Sequence, residues 1–424
     1  MKIEKGEAKN VELVGYHDLE DRPGFQMAMQ VVDGNWFLYL GHFWHKGWTI
    51  MNVTEPSDPK LVRFVPYEGG QDTITIKVQV ADGKMIANLQ REISLLAHEG
   101  APFEEGILIF DVKEDPVDPK LLGHWKSGGE GTHRNYYDGG RYVHTSAGCP
   151  GFYGNIYRII DIEDPAHPVE AGRWWLPEQW GAGQVPTEEE EKFGGPAKSY
   201  LQSHHDRKYC LHGPPYPKGN RCYLNFFNSA VLAILDISDI SLPRLISKLQ
   251  FNPPFGNMIA GHTAMPLSQR DLLLYTTEGT FQGFGGQLDI AGIVDISDEK
   301  NPRLVSTLPI PEPPPGSPYK NFHEKAASFG PHNFHEPHNH SDLEDRDDRV
   351  YLTYFNAGLR IYDISDPYLP REIAYYIPPD PTKRNGPMPR GKLGVSSEDI
   401  LVDKRGYIYM TDKNLGLHVL RCTI

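Results

Sequence analysis

Short apolar stretches that stop at an aspartate recur along this chain. The clearest copy is Gly358–Pro370, GLRIYDISDPYLP, in which a strand-like run ends at Asp363 and gives way to a proline-bounded turn. Related phrases stop at Asp111 (GILIFDVKEDPVDP), Asp161 (IYRIIDIEDPAHP), Asp236 (LAILDISDISLP) and Asp295 (AGIVDISDEKNP). A sixth copy carries Asn52 in the same place (WTIMNVTEPSDP), and a worn seventh, GLHVLRCTI, closes the chain. Repeats of this kind decide the fold before any single element does. An Asp at that point is expected to accept backbone N–H bonds in the turn that follows.

Two further signals frame each phrase. Downstream lies a second apolar run: PKLVRFV at 59–65, PKLLGHW at 119–125, PRLISKL at 243–249 and PRLVSTL at 302–308. Upstream, strand patterns turn at Asp33-Gly34, Asp82-Gly83 and Asp138-Gly139, and in the last unit at Asp403 with Gly406. Asp-Gly marks a tight hairpin, because both turn residues adopt positive φ. Each unit therefore reads as inner strand, hairpin, second strand, the Asp-terminated strand, a turn and an outer strand. Seven such units predict an all-β fold, a seven-bladed β-propeller in one domain over residues 1–424. The blades fall at 20–66, 70–127, 130–177, 200–251, 258–310, 328–378 and 394–424 plus 9–19, with insertions at 178–199, 311–327 and 379–393. Residues 10–16, NVELVGY, resemble the outer strands, and the last unit lacks one of its own. The N-terminal strand is thus expected to close the last blade and remove the free sheet edges.

The phrase IxDISDPxxP resembles the LVIVD-repeat β-propeller family. The resemblance extends over nearly the whole chain and implies the fold. It implies no activity, since propellers host many unrelated functions and function has to be argued from a site.

Composition narrows the partners. The chain has 42 Lys plus Arg against 56 Asp plus Glu, a net charge of -14. Counterion release drives nucleic-acid binding, so an acidic chain is not expected to take a nucleic-acid partner. No apolar run approaches the ~20 residues that span a bilayer. The start of the chain lacks the apolar centre of a signal peptide, and the four cysteines form no CxxC pair. A cytoplasmic protein with reduced thiols is expected. The sequence leaves the oligomeric state open.

Candidate chemistry comes from the inner strands, which line the propeller channel. Aligned on the hairpins, the residue five before the turn Asp is Ala28, Lys77, His133 and Glu398 in blades one, two, three and seven. The middle blades begin their inner strands QSHHDRKY, AGHTAMPL and GPHNFHEP. Four consecutive blades thus offer a histidine at the same level: His133, His205, His262 and His332, with His204 and His335 as the alternatives in their blades. His205 is preferred to His204 because it stands four before Tyr209, as His133 stands four before Tyr137. Neighbouring residues of a strand face opposite ways, so each pair supplies one inward ring.

Neutral imidazole suits iron, zinc and copper, whereas calcium and magnesium call for oxygen ligands. A mononuclear transition-metal ion is expected, iron(II) first, with zinc, copper or manganese as alternatives. Glu336 and Asp206 are the carboxylates placed to orient the histidines. Glu398 and Lys77 flank the opening and are candidates for proton transfer or substrate binding. A ring of four axial histidines is similar to the iron site of the carotenoid cleavage oxygenases and to the selenium-binding protein and methanethiol oxidase propellers, although their motifs are not matched here. The resulting expectation is a non-haem iron oxygenase or oxidase. It would act on a small or medium organic molecule entering beneath loops 148–156, 173–202 and 281–287. A metal-dependent lyase, hydratase or isomerase using Glu398 or Lys77 is the alternative within enzymes. The alternative outside them is an interaction propeller whose channel histidines are incidental.

Overall fold

The computed structural model describes residues 6–92, 98, 100–181, 209–227, 229–255, 259–279, 288–337, 339–389 and 391–424. They build seven sheets in chain order. The first blade consists of strands Met27–Val32, Asn35–Gly41, Gly47–Asn52 and Lys60–Pro66, each antiparallel to the next. The others follow the same meander, with the inner strand of the second blade split into Thr73–Ile74 and Val78–Ala81 and that of the sixth reduced to a bridge from Phe334 to Leu352, and the fold is a seven-bladed β-propeller. Among the described residues no helix is long and apolar enough to cross a membrane.

The repeated phrase builds the third strand and the turn after it. The carboxylates of Asp111, Asp161, Asp236, Asp295 and Asp363 each accept the N–H two residues on, at 2.8–2.9 Å, and Asn52 does the same at 3.0 Å. A second Asx turn follows three or four residues later, as where Asp366 accepts from Tyr368 N–H at 3.0 Å. Just before the Asp, the pairing with the outer strand shifts register by one residue. The shift falls at Ile50/Met51, Ile109/Phe110, Ile159/Ile160, Ile234/Leu235, Ile293/Val294 and Ile361/Tyr362. A bulge at a fixed place adds the same extra twist to every blade.

Apolar side chains on both faces of each sheet pack between neighbouring blades. One cluster joins Tyr39, Trp48 and Ile50 of the first blade to Val78, Met85 and Phe110 of the second; another joins Tyr157 and Ile159 of the third to Leu224 and Leu235 of the fourth. Polar ties run beside these cores. A side chain on the second strand donates to a carbonyl at the next inner strand: Asn88 to Thr132, Ser146 to Leu211, Asn225 to Thr263, Thr276 to His332, Thr353 to Glu398 and Thr411 to Phe25. The first blade has Gly41 instead, where an added Cβ would sit 2.5 Å from the Ile76 carbonyl.

The N-terminal strand closes the ring as the sequence predicts. Val11–His17 is the outer strand of the seventh blade and pairs with Gly416–Cys422. The sequence did not signal a second contact. Glu7–Lys9 continues past the join and pairs with Arg371–Ile377, the outer strand of the sixth blade.

Candidate metal centre in the channel

The inner strands deliver their side chains through local irregularities. In the third blade the register breaks between Thr132 and Arg134, in the fifth between Ile259 and Thr263, and in the seventh between Ser397 and Ile400. His133, His262 and Glu398 lie inside these breaks, which re-aim side chains that a regular strand would send into the blade cores. In the fourth blade the inner segment bridges Leu211 to Phe226 and leads through Gly213-Pro214-Pro215 into Tyr216–Lys218. It brings in His212. In the sixth, His332 follows Pro331, and its backbone pairs with Thr353.

Four imidazoles from four successive blades stand side by side. Ring centroids are 4.5 Å apart for His133 and His212, 4.8 Å for His212 and His262, and 4.8 Å for His262 and His332. Glu278, at the end of the fifth blade's second strand, reaches into the same space. Its carboxylate lies 3.7 Å from His212 Nε2, 3.6 Å from His262 Nε2 and 3.5 Å from His332 Nε2. His212, His262 and Glu278 form a buried group able to hold a metal ion, with one ligand atom from each all within 4.8 Å of one another. Two ligands opposite each other across a metal stand ~4.2 Å apart, so the group needs little contraction to close on an ion.

The surroundings set the rings. His332 Nδ1 donates to the Glu398 carbonyl at 2.8 Å, and His133 Nδ1 to Gln90 Oε1 at 2.8 Å, which leaves the Nε2 lone pair of each for another partner. His262 Nδ1 pairs with Thr263 Oγ1 at 2.7 Å. His212 Nδ1 is buried with no hydrogen-bond partner among the described residues. Phe355 stacks on His332, with centroids 4.7 Å apart, and Phe227 leans on His212 at 5.1 Å.

Burial dominates the electrostatics. It holds His133, His212 and His262 well below the usual histidine range, helped by the Arg134 guanidinium, and lowers His332 to about 4 against the pull of Glu398. These imidazoles are neutral, the form that binds a metal. Burial raises Glu278 to about 8, with Arg134 opposing. Burial also pushes Glu398 up, but His332 and Lys413 outweigh it and hold that carboxyl below its ordinary value.

Of the residues singled out in the sequence, His133, His262 and His332 share this cluster, with Glu398 beside it. His204, His205 and Asp206 lie outside the described residues, as do positions 182–202 and 281–287 of the expected entrance loops. The described part of the fourth inner strand contributes His212, which the sequence reading passed over. His335 turns away: its Nε2 donates to the Glu344 carbonyl at 2.6 Å and its Nδ1 accepts Val402 N–H at 3.1 Å. Glu398 and Lys77 have separate partners, Lys413 at 2.8 Å and Glu336 at 2.8 Å. Glu336 also accepts from the Tyr216 hydroxyl at 2.5 Å and lines a cavity of about 190 Å³ toward the hairpin end of the channel. Glu278 and Arg134 were also passed over. A Glu that ends the apolar run LLLYTTE was a readable signal for the first.

Comparison with known proteins agrees with this architecture. The LVIVD-repeat model matches residues 151–174, 218–250 and 347–377. The chain is a β-propeller that carries LVIVD repeats. Among solved structures it is similar to the β-propeller domain of Cps50 (Swd1) from Myceliophteria thermophila, with TM-score 0.52 and 11% identity over 94% of this chain and 96% of that one. It is also similar to a hypothetical selenium-binding protein from Sulfolobus tokodaii, with TM-score 0.52 and 14% identity over 88% of this chain and 80% of that one. Likeness at these identities bears on the fold alone. The search of curated proteins found no match.

Proposed function

We propose that this propeller is a metal-dependent enzyme with one transition-metal ion at the histidine cluster, acting on a small or medium organic molecule. The observation that carries the reading is three Nε2 atoms, of His212, His262 and His332, within 3.7 Å of one buried carboxylate. Two histidines and a carboxylate with open positions are the donor set of non-haem iron(II) oxygenases, so oxidase or oxygenase chemistry is the first reading. Iron(II) bound there would supply redox chemistry with oxygen. His133 and His332 complete the ring. The backbone and Gln90 contacts fix their tautomers, and Phe227 and Phe355 keep bulk water from the donors. Glu398, tied to Lys413, sits behind His332 and orients it.

A second reading draws on Glu278. A carboxyl raised to about 8 is poised to exchange a proton near neutral pH. If Glu278 moves a proton and does not ligate, the reaction is a lyase, hydratase or isomerase reaction, and oxygen consumption by the metal-loaded protein distinguishes the two.

Elemental analysis of untagged protein loaded with iron(II), cobalt(II) or zinc(II) tests the site. About one equivalent is expected in the wild type and in His335→Ala, and much less in His212→Ala and His262→Ala. Undiminished metal in both of the latter variants, or none in the wild type, sinks the proposal.

A further inference from the structure

Five lysines and arginines are buried among the described residues: Lys77, Arg134, Arg158, Arg360 and Lys413. Four of them stand against a carboxylate. Lys77 is 2.8 Å from Glu336, Arg158 Nε 2.8 Å from Glu170, Arg360 3.3 Å from Glu372 and Lys413 2.8 Å from Glu398. Arg134 is the exception. It is 4% exposed, its Nε is buried with no hydrogen-bond partner, and its Nη2 lies 3.3 Å from His262 Nε2. No carboxylate of the described residues comes within ion-pair distance of it. Glu278 and Glu398 feel its charge without touching it, whereas each of the other four buried cations described holds a carboxylate in direct contact.

The neighbour makes the case stronger. His262 Nε2 also faces Glu278, at 3.6 Å, and is one of the atoms proposed to meet the metal. With its lone pair on an ion, that nitrogen no longer accepts from Arg134. The guanidinium is then left beside a second positive charge with no hydrogen-bond acceptor in contact among the described residues. A planar guanidinium with free N–H groups matches a carboxylate in two-point geometry. Phe227 packs on His212 and Phe355 on His332, the two rings next to His262, so the cluster as a whole has an apolar rim that suits an organic body over a hydrated inorganic anion. The net charge of -14 opposes polyanions at long range, but a local guanidinium in a low-dielectric channel governs a single negative charge.

We propose that the substrate is a small organic carboxylate whose carboxylate group pairs with Arg134 next to the metal. The placement beside the metal rests on the metal reading; the pairing with Arg134 does not. Calorimetric titration of acetate, lactate and benzoate against acetamide, lactamide and benzamide tests it, on wild type, Arg134→Gln and Arg134→Lys, with metal content measured on each sample. At least one carboxylate is expected to bind the wild type about tenfold or more tightly than its amide. Arg134→Gln should lose that preference at unchanged metal content, and Arg134→Lys should keep part of it. No acid preferred over its amide in the wild type, or an undiminished preference in Arg134→Gln, overturns the proposal. If the wild type holds no metal, the metal reading alone fails. The same titrations on the metal-free proteins then decide the carboxylate site.

Discussion

At the scale of single residues, burial also controls three histidines outside the channel. His418 is fully buried between Tyr16 and Tyr376, both its ring nitrogens lack hydrogen bonds, and burial alone lowers it to about 3. His42 is lowered to about 3 and His144 to about 4, chiefly by burial. A histidine lowered in the folded state is neutral there while the unfolded chain takes up a proton near pH 6.5. Stability is therefore fully present above about pH 6.5 and falls as the pH drops toward 3–4, by up to about 1.4 kcal/mol per pH unit for each group. Urea unfolding of His418→Leu at pH 7, 6 and 5 should show a pH slope shallower than wild type by about one proton. An unchanged slope would mean that His418 is not neutral in the fold. None of this was visible in the sequence, where burial has no local signature. The same gap hid Arg134, one more charged residue in a strand until three dimensions show no carboxylate of the described residues in contact with it.

At the scale of elements, the sequence was most informative where structure is made locally. The Asp turns depend on residues two apart, so each copy of the phrase announced its own hydrogen bond. The inner strand of the fourth blade was less legible. LHGPPYPK carries three prolines, which read as loop, because proline cannot donate to a ladder. The inner strand of a blade is a sheet edge facing the channel, and proline is tolerated there. A usable cue was the tie to the next blade. His133 precedes Ser146 by 13 positions, His212 precedes Asn225 by 13 and His262 precedes Thr276 by 14. These ties also order the energetics. Asn225→Ala removes a buried donor and leaves the Thr263 carbonyl short of a partner, at an expected cost of about 1–3 kcal/mol. Asp363→Ala removes an exposed turn bond and should cost less, about 0.5–1 kcal/mol. Denaturant midpoints compare the two, and equal losses would contradict a structural role for the inter-blade ties.

At the scale of the whole molecule, sevenfold repetition builds the ring, and departure from it supplies the candidate site. Four consecutive blades present imidazoles, while the seventh, first and second present Glu398, Ala28 and Lys77. That asymmetry was legible as a pattern of residue types. Glu278 comes from a second strand, so an alignment of inner strands could not include it. Closure rests on the N-terminal strands, which gives a clear test. Deleting residues 1–9 removes Glu7–Lys9 from the sixth blade, keeps Val11–His17 in place and should leave a monodisperse protein. Deleting residues 1–17 also bares the edge of Gly416–Cys422, and size-exclusion chromatography should then show association through the open edge. The same closure has a consequence in time. Glu12 pairs with Arg421, so during translation at ~5–20 residues per second the closing strand waits ~20–80 s for its partner to be made. By the end of that interval the nascent chain holds every channel histidine up to His332 and still lacks a closed ring, so the candidate site is assembled last, when Val11–His17 docks on Gly416–Cys422.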